Sequence, residues 1–207
     1  ILKPNKKQSD KTFLFIDGTN LYAGQYELFG HDKYLDFSLF IKEIEDEIGI
    51  RFDKIYFYAS YSPRSRNPTK REKLYLKNEA LFYRSVRRTR SVTFFTGYRS
   101  KASGKEKEVD VKLAVDIVDF AHRNYYDNIY LMSGDADFMQ ALFAVRRLNK
   151  RIGVLCLENK IIFKSFVFFD TLIVVLRKMP IFRNLSKKIT KAIKIIKINK
   201  EKVAMSV

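Results

Sequence analysis

The chain has 207 residues and a formal net charge of +17, and 46% of its residues are hydrophobic. A composition this apolar excludes an intrinsically disordered chain, and the length suits one domain of ordinary size with an appendage. A surface this basic needs a polyanion, such as nucleic acid or an anionic membrane, as its counter-charge.

Short β-branched and aromatic runs alternate with longer stretches of helical period, a pattern typical of a parallel sheet covered by helices. The predicted strands are 12–16, 54–60, 92–96, 128–132, 151–157 and 171–175. The predicted helices are 20–29, 38–48, 69–86, 109–122, 136–149 and 160–166. Because parallel strands need right-handed crossovers, these elements predict a three-layer α/β/α sandwich with a mostly parallel central sheet.

Charge divides the chain into a basic N-terminal segment at 1–11, the predicted domain at 12–176 and a basic tail at 177–207. Apolar residues of the tail recur at helical spacing, at Leu185, Ile189, Ile193 and Ile196. This spacing predicts a basic amphipathic helix. Its apolar side could pack on the domain, on a second copy or another protein partner, or on a membrane surface, and its lysines could bind a polyanion.

The single cysteine, Cys156, lies in a predicted strand and has no partner for a disulfide. We therefore interpret Cys156 as a core residue and expect a reducing compartment. The first residues contain no apolar stretch of signal-peptide length, and the apolar run 166–176 is too short to span a bilayer. A cytoplasmic location without a membrane span is the expectation.

Carboxylates follow two of the predicted strands at the point where each strand ends. Asp17 follows the first strand, and Asp135 and Asp137 follow the fourth. Asp110 lies in the first turn of a predicted helix and can reach the same end of the sheet. Ligands of α/β sheets bind beyond the carboxyl ends of the strands, and converging carboxylates bind hard cations, so these acids predict a Mg²⁺ or Mn²⁺ site. Each acid taken alone has an ordinary explanation as a turn residue or a helix cap.

Further residues near these acids are candidates for supporting roles. Asn20 and Ser133 can hold a carboxylate or a phosphate through hydrogen bonds, and Lys107 can counter phosphate charge. Gly18 would allow a phosphate to approach the backbone closely. Asp116 points about 120° away from the acid that begins its helix, so it is either a buried hydrogen-bond acceptor or a support for the metal ligands.

Three segments around these residues resemble the successive motifs of the NYN family, particularly of its LabA-like branch within the PIN-like nucleases. They are FLFIDGTNLY at 13–22, KEVDVKLAVDIVDFA at 107–121 and YLMSGDADFMQAL at 130–142. The resemblance spans 13–157 and implies a PIN-like fold, a Mg²⁺ or Mn²⁺ site and RNA cleavage. Carried onto this chain, the acidic positions of the family are Asp17, Asp110, Asp135 and Asp137, and other recurrent positions are Asn20, Lys107, Ser133 and Asp116.

Residues 62–107 hold 14 Lys and Arg against 3 Glu, which predicts a surface that binds the RNA backbone. The candidates for this contact are Arg64, Arg66, Lys70, Arg71, Arg87, Arg88, Arg90, Arg99, Lys101 and Lys105. The interleaved Tyr75, Phe82 and Tyr83 either stack on bases or, in the interpretation we favour, face the core. The Ser/Gly/Lys-rich stretch 98–106 is predicted to be a mobile loop.

Three functions fit these patterns. The leading hypothesis is an endoribonuclease that hydrolyses phosphodiester bonds with metal-activated water in an acidic crevice. The alternative is a non-catalytic RNA-binding or regulatory module of the same fold that acts through partners. A magnesium-dependent phosphatase is disfavoured, because no Asp-x-Asp follows the first strand and a small substrate has little use for a charge of +17.

Overall fold

A computed structural model of the chain describes residues 10–30, 33–99, 106–158, 171–175, 182–184 and 195–198. Its helices are α1 (Gly18–Phe29), α2 (Phe37–Ile48), α3 (Lys70–Arg88), α4 (Val109–His122) and α5 (Met139–Arg147), with a 3-10 turn at Ala136–Phe138 before α5. Among the helices in these ranges, none combines the length and the apolar character that a bilayer crossing requires.

The strands are short, as the sequence pattern predicts, and all six predicted strands are present. In chain order they are β1 (Thr12–Asp17), β2 (Lys33–Leu35), β3 (Lys54–Ala59), β4 (Val92–Thr96), β5 (Tyr98–Arg99), β6 (Glu106–Lys107), β7 (Asn128–Met132), β8 (Arg151–Leu157), β9 (Thr171–Val175), β10 (Phe182–Asn184) and β11 (Ile195–Ile198).

One sheet contains seven of these strands in the order β11-β9-β8-β7-β1-β3-β4. The five strands from β8 to β4 run parallel and form its centre, β9 continues it in parallel, and β11 pairs antiparallel with β9. Asp17 pairs with Tyr58, and Ile16 pairs with Met132. The carboxyl ends of β1, β3 and β7 therefore lie together at one edge of the sheet.

Helices cover both faces of the sheet. Leu14 and Ile16 of β1 pack into a core with α1, α2 and α3, whereas Phe13 and Phe15 pack into a second core with α4 and α5. Neighbouring residues of a strand point to opposite faces, so one strand supplies both cores. The predicted three-layer α/β/α sandwich is confirmed.

Cys156 lies in β8 and is 1% exposed, within the core beneath α4 and α5. Burial raises the pKa of its thiol to about 12. Because thiolate is the reactive form, the folded protein holds almost none of it at neutral pH. We expect Cys156 to resist a thiol-reactive dye in the native protein and to react after unfolding in guanidinium. Rapid labelling of the native protein would contradict this burial.

The tail departs from the predicted amphipathic helix. Residues 182–184 pair antiparallel with β2, and residues 195–198 pair antiparallel with β9. The helix prediction is wrong at Ile195 and Ile196, and 182–184 form a strand just before the predicted helix. The rest of that helix, 185–194, and the predicted helix 160–166 lie outside the described residues. β-Branched Ile195, Ile196 and Ile198 favour a strand, and the edge of β9 carries backbone N–H and C=O groups that a neighbouring strand satisfies.

The stretch 98–106 has paired ends where a loop was predicted. Tyr98–Arg99 pairs antiparallel with Glu106–Lys107, and residues 100–105 between them lie outside the described residues. The pairing joins the end of β4 to the start of α4. Helix α4, with its first-turn acid, begins two residues after this pairing.

Candidate active site

The sheet changes direction of connection between β1 and β7. From β1 the chain continues to β3 on one side, and from β4 it crosses back to β7 on the other side. Connections that leave in opposite directions create the switch point at which open α/β sheets bind ligands. Asp17 ends β1 at this point, and residues 133–135 directly follow β7.

Asp17 is a buried carboxylate with 4% exposure. Its Oδ1 accepts a hydrogen bond of 2.9 Å from the backbone N–H of Asn20 and so caps the N-terminus of α1. Its Oδ2 accepts a hydrogen bond of 3.0 Å from the Ser133 hydroxyl. The positive end of α1 and these donors compensate for the burial of a negative charge.

Ser133 links the ends of the two neighbouring strands. Its hydroxyl donates to Asp17 and accepts a hydrogen bond of 3.1 Å from the backbone N–H of Asp135. Asn20 adds a longer contact, because its Oδ1 accepts from the backbone N–H of Gly134 at 3.5 Å. The Ser133 side chain thus binds a carboxylate, whereas the Asn20 side chain contacts the backbone of Gly134 and reaches Asp17 only through its own backbone N–H. These contacts hold Asp17 and Asp135 at one location.

Asp135 and Asp137 lie in the 3-10 turn after β7. Asp135 is half-buried, and its Oδ1 accepts the backbone N–H of Asp137 at 2.9 Å, so one oxygen serves as a cap. Asp137 is exposed. Within the ranges that the structure describes, Oδ2 of Asp135 and both carboxylate oxygens of Asp137 make no hydrogen bond. Three carboxylate oxygens of these two acids therefore have no hydrogen-bond donor among the described residues.

Helix α4 brings two further acids near this edge. Asp110 is exposed in its first turn, as predicted, and the side chain of the neighbouring Lys107 lies outside what the structure describes. Asp116 is 8% exposed and accepts hydrogen bonds from the Tyr58 hydroxyl at 2.7 Å and from the Lys112 ammonium. Burial and this carboxylate raise the pKa of Tyr58. Asp116 therefore links α4 to the end of β3. It acts as a buried hydrogen-bond acceptor, which is one of the two roles predicted for it.

The carboxylate oxygens at this edge suit a hard divalent cation, since such ions prefer carboxylate ligands. Asp17 and Asp135 are held together by Ser133, and Asp137 follows them directly. In the part of the chain that the structure describes, no group of three His, Cys, Asp or Glu side chains lies within reach of one metal ion. The carboxylates are thus of the type that binds Mg²⁺ or Mn²⁺, but this side-chain arrangement brings together only part of the predicted set of four aspartates.

The family model of the NYN domain matches residues 11–175 of this chain. The chain belongs to the NYN domain family. NYN domains belong to the PIN-like nuclease superfamily, which indicates a nuclease or RNA-related role, and PIN-like nucleases generally use divalent metals. The resemblance of the three sequence motifs is therefore confirmed at the level of the family.

A solved structure shares the fold of this NYN domain. It is the crystal structure of a protein of unknown function from Vibrio parahaemolyticus RIMD 2210633, with a TM-score of 0.54 and 19% identity. The similarity covers 80% of this chain and 92% of that one, and at this identity it concerns the fold alone. Among curated proteins, none matches the chain.

The basic residues predicted to bind RNA divide into three groups in the NYN domain. Six are exposed and form no ion pair within the described ranges: Arg64, Arg66, Lys70, Arg71, Arg88 and Arg90. The guanidinium of Arg87 instead lies 4.0 Å from the ring centre of Phe94 and donates to the hydroxyls of Tyr61 at 2.6 Å and Thr96 at 2.9 Å. The third group lies outside the described side chains and comprises Arg99, Lys101 and Lys105.

The aromatic residues of α3 belong to the core of the NYN domain. Phe82 is 0% and Tyr83 is 1% exposed, and the ring of Tyr75 packs 5.0 Å from that of Tyr22. The interpretation of these rings as core residues is confirmed. They offer no platform on which bases can stack.

Glu79 is a buried acid whose role in positioning basic residues was not predicted from the sequence. It is 2% exposed, and its carboxylate accepts hydrogen bonds from the backbone N–H of Ser62 at 3.0 Å and from its hydroxyl at 2.6 Å. This contact anchors to α3 the segment that carries Arg64 and Arg66. No local pattern distinguishes Glu79 from the other charged residues of α3, because its partner lies 17 residues away.

Proposed function

We propose that this NYN domain is a metal-dependent endoribonuclease of the LabA-like branch that hydrolyses RNA phosphodiester bonds. The observation that carries the proposal is the hydrogen-bonded chain from Asp17 through Ser133 to Asp135, at the switch point of the sheet. The placement in the LabA-like branch rests on the three sequence motifs. The net charge of +17 suits a polyanionic substrate.

Four aspartates would hold Mg²⁺ or Mn²⁺: Asp17, Asp110, Asp135 and Asp137. A bound divalent cation supplies a water of lowered pKa and neutralises charge on the phosphate. Ser133 keeps the buried carboxylate of Asp17 in one orientation. The oxygens of Asp135 and Asp137 that bear no hydrogen bond from the described residues can bind a cation without breaking a contact of the fold. Asp110 would reach the edge from the start of α4.

The residues around the acids would position the RNA. Asn20 and Lys107 are proposed to contact the phosphate at the cut. The backbone beyond it would be held by exposed basic side chains without ion pairs in the described ranges, namely Arg64, Arg66, Lys70, Arg71, Arg88 and Arg90.

A non-catalytic RNA-binding module is the second candidate function. The observation that favours it is that the acids do not form a group of three within metal-binding reach in the described ranges. Such a module would keep the basic surface and bind RNA without cutting it.

The proposal is tested with labelled RNA and DNA of the same sequence, incubated with Mg²⁺, Mn²⁺ or EDTA. We expect cleavage of RNA with either metal and none with EDTA. The variant Asp135→Asn removes one ligand charge and is expected to lower the rate at least about 100-fold, since even outer partners of metal ligands are worth 10- to 100-fold. The matched control is Glu47→Gln, an exposed α2 residue, which is expected to keep full activity.

The possible outcomes separate the two candidate functions. Metal-independent cleavage, or full activity of the Asp135→Asn variant, would rule out the proposed site. RNA binding without cleavage in either metal would favour the non-catalytic module.

A further inference from the structure

Five basic residues of α3 lie on one narrow stripe of the helix surface: Lys70, Lys73, Lys77, Arg84 and Arg88. At 3.6 residues per turn they fall within about 60° of the circumference and extend over 18 residues, roughly 27 Å. The two acids of the helix lie on the other side. Glu79 is buried against Ser62, and Glu72 binds the backbone N–H of Thr69.

The stripe is exposed, and nothing in the described part of the chain neutralises it. All five side chains are exposed and form no ion pair or hydrogen bond within the described ranges. By contrast, Arg51, Arg123 and Arg151 each contact a carboxylate. The charges of the stripe are therefore available to an external anion.

Two cavities lie along the stripe. The first has a volume of about 510 Å³, and its basic lining residues are Arg64, Arg66, Lys73 and Lys77. The second has a volume of about 560 Å³, and its basic lining residues are Arg84, Arg88 and Arg90. The one acid of the second cavity, Asp36, caps α2 and accepts the hydroxyl of Ser38 at 2.8 Å. Both cavities therefore present cations to a ligand.

Part of the stripe opposes the stability of its own helix, although Arg88 lies in the last turn, where a cation is favourable. Lys70 and Lys73 place positive charge at the positive end of the helix dipole. Lys73 with Lys77 and Arg84 with Arg88 are like charges four residues apart, which repel each other. An arrangement that destabilises the free helix is explained if a polyanion neutralises it.

We infer that this stripe is the track along which the phosphate backbone of RNA leaves the candidate active site. The inference rests on the proposed function and names its substrate class. Helix α3 follows β3, so it begins near the carboxyl edge that holds Asp17, and it ends near Val92, where β4 starts at the opposite edge. The track therefore leads from the cut toward the far edge of the sheet.

The track binds phosphates and does not distinguish bases. Its length of roughly 27 Å accommodates several consecutive phosphates of one strand. Phe82 and Tyr83 of α3 are buried, and the partly buried ring of Tyr75 packs on Tyr22, so the helix presents no row of rings to stack on bases. The substrate class is therefore RNA with several nucleotides on one side of the cut, of any sequence along that side, and di- or trinucleotides bind poorly.

The track is tested by the binding of fluorescein-labelled oligouridines of about 4 and 20 nucleotides, in EDTA so that no cleavage occurs. The parent is expected to bind the longer RNA more tightly. Replacing Arg84 and Arg88 with Gln is expected to weaken its binding about tenfold at moderate salt and to reduce the salt slope by about 1.4, since each phosphate contact on a single strand contributes about 0.7. Binding of the short RNA is expected to change little.

The control variant carries Lys11→Gln and Arg147→Gln, which remove two exposed charges outside α3. It is expected to keep the length dependence and most of the salt slope. Thermal melting of the stripe variant shows that it is folded. We expect its Tm to stay close to that of the parent, because the lost repulsion between Arg84 and Arg88 offsets the lost interaction of Arg88 with the helix dipole. Equal losses in the stripe and control variants would overturn the track alone. A parent that binds neither RNA would overturn the proposed function as well.

Discussion

Replacing Asp17 with Asn is expected to lower the rate of RNA cleavage at least about 100-fold, while the fold persists. The loss is expected to be this large because mutating even the outer partners of metal ligands lowers metal affinity or activity about 10- to 100-fold. Asp17 is the acid most firmly placed at the switch point, since it accepts hydrogen bonds from Asn20 and Ser133. Asn keeps an oxygen that can cap α1 and removes only the charge that a cation needs. The measurement is the rate of cleavage of labelled RNA, with circular dichroism melts of both proteins.

Two comparisons make this prediction specific. Asp17→Ala also removes the cap of α1, so it is expected to lose about 1 kcal/mol of stability as well as the activity. Asp17→Asn should bind the 20-nucleotide RNA as tightly as the parent in EDTA, because the basic track on α3 is unchanged. Full cleavage by Asp17→Asn would remove Asp17 from the metal site, whereas a large loss of stability would show that its role is structural.

Gly18→Ala is expected to destabilise the protein, although Ala is the better helix former. A Cβ at position 18 would lie 2.1 Å from Cε1 of Phe57. Phe57 is fully buried, so its ring cannot move away. The rings that enclose it belong to Phe37, Phe82, Tyr83 and Phe94. Overpacking of this kind costs about 1–3 kcal/mol and outweighs a propensity gain of at most about 1 kcal/mol. Chemical denaturation measures the difference.

Gly153→Ala provides the matched comparison. Its Cβ would lie 2.2 Å from Cε1 of Tyr130, an equally close contact. Tyr130 is only partly buried and lines a cavity of about 250 Å³, so its ring has room to turn. We therefore expect Gly153→Ala to cost less than Gly18→Ala, and Phe57→Leu to relieve part of the cost of Gly18→Ala in a double-mutant cycle. Equal costs at the two glycines would show that the freedom of the neighbouring ring does not decide the outcome.

This clash also gives Gly18 a different explanation from the one its sequence position favours. Beside Asp17, a glycine predicts close approach by a phosphate. The structure instead turns Gly18 toward Phe57, in the core under α1 to α3. A sequence places a glycine beside its neighbours along the chain, whereas Phe57 reaches it from the adjacent strand.

The central sheet was predictable because its strands are short, apolar and separated by amphipathic helices. Five of the six helical predictions correspond to observed helices, and their ends differ by a few residues. The proximity of Asp17, Ser133 and Asp135 was predictable because parallel strands bring their carboxyl ends to one edge of the sheet. The strand in the tail was not predictable, since the spacing of the isoleucines suits both a helix and a strand. Which of the two forms depends on the open edge of β9, with which the tail pairs.

The basic surface was predictable in amount but not in detail. The sequence indicates many cations between 62 and 107, yet it does not show that Arg87 is bound to Tyr61 and Thr96. Nor does it show that Glu79 anchors the segment before α3. These side-chain contacts join residues far apart in sequence, so they depend on the packed fold.

The antiparallel pairing of β11 with β9 gives the basic tail a second consequence. Truncating the chain before residue 195 would remove positive charge and also uncover the backbone of β9 along a whole strand. An uncovered strand edge is a template for pairing with another molecule. A shortened protein of this kind is expected to self-associate. Weaker RNA binding by such a protein would therefore reflect the lost strand as well as the lost charge.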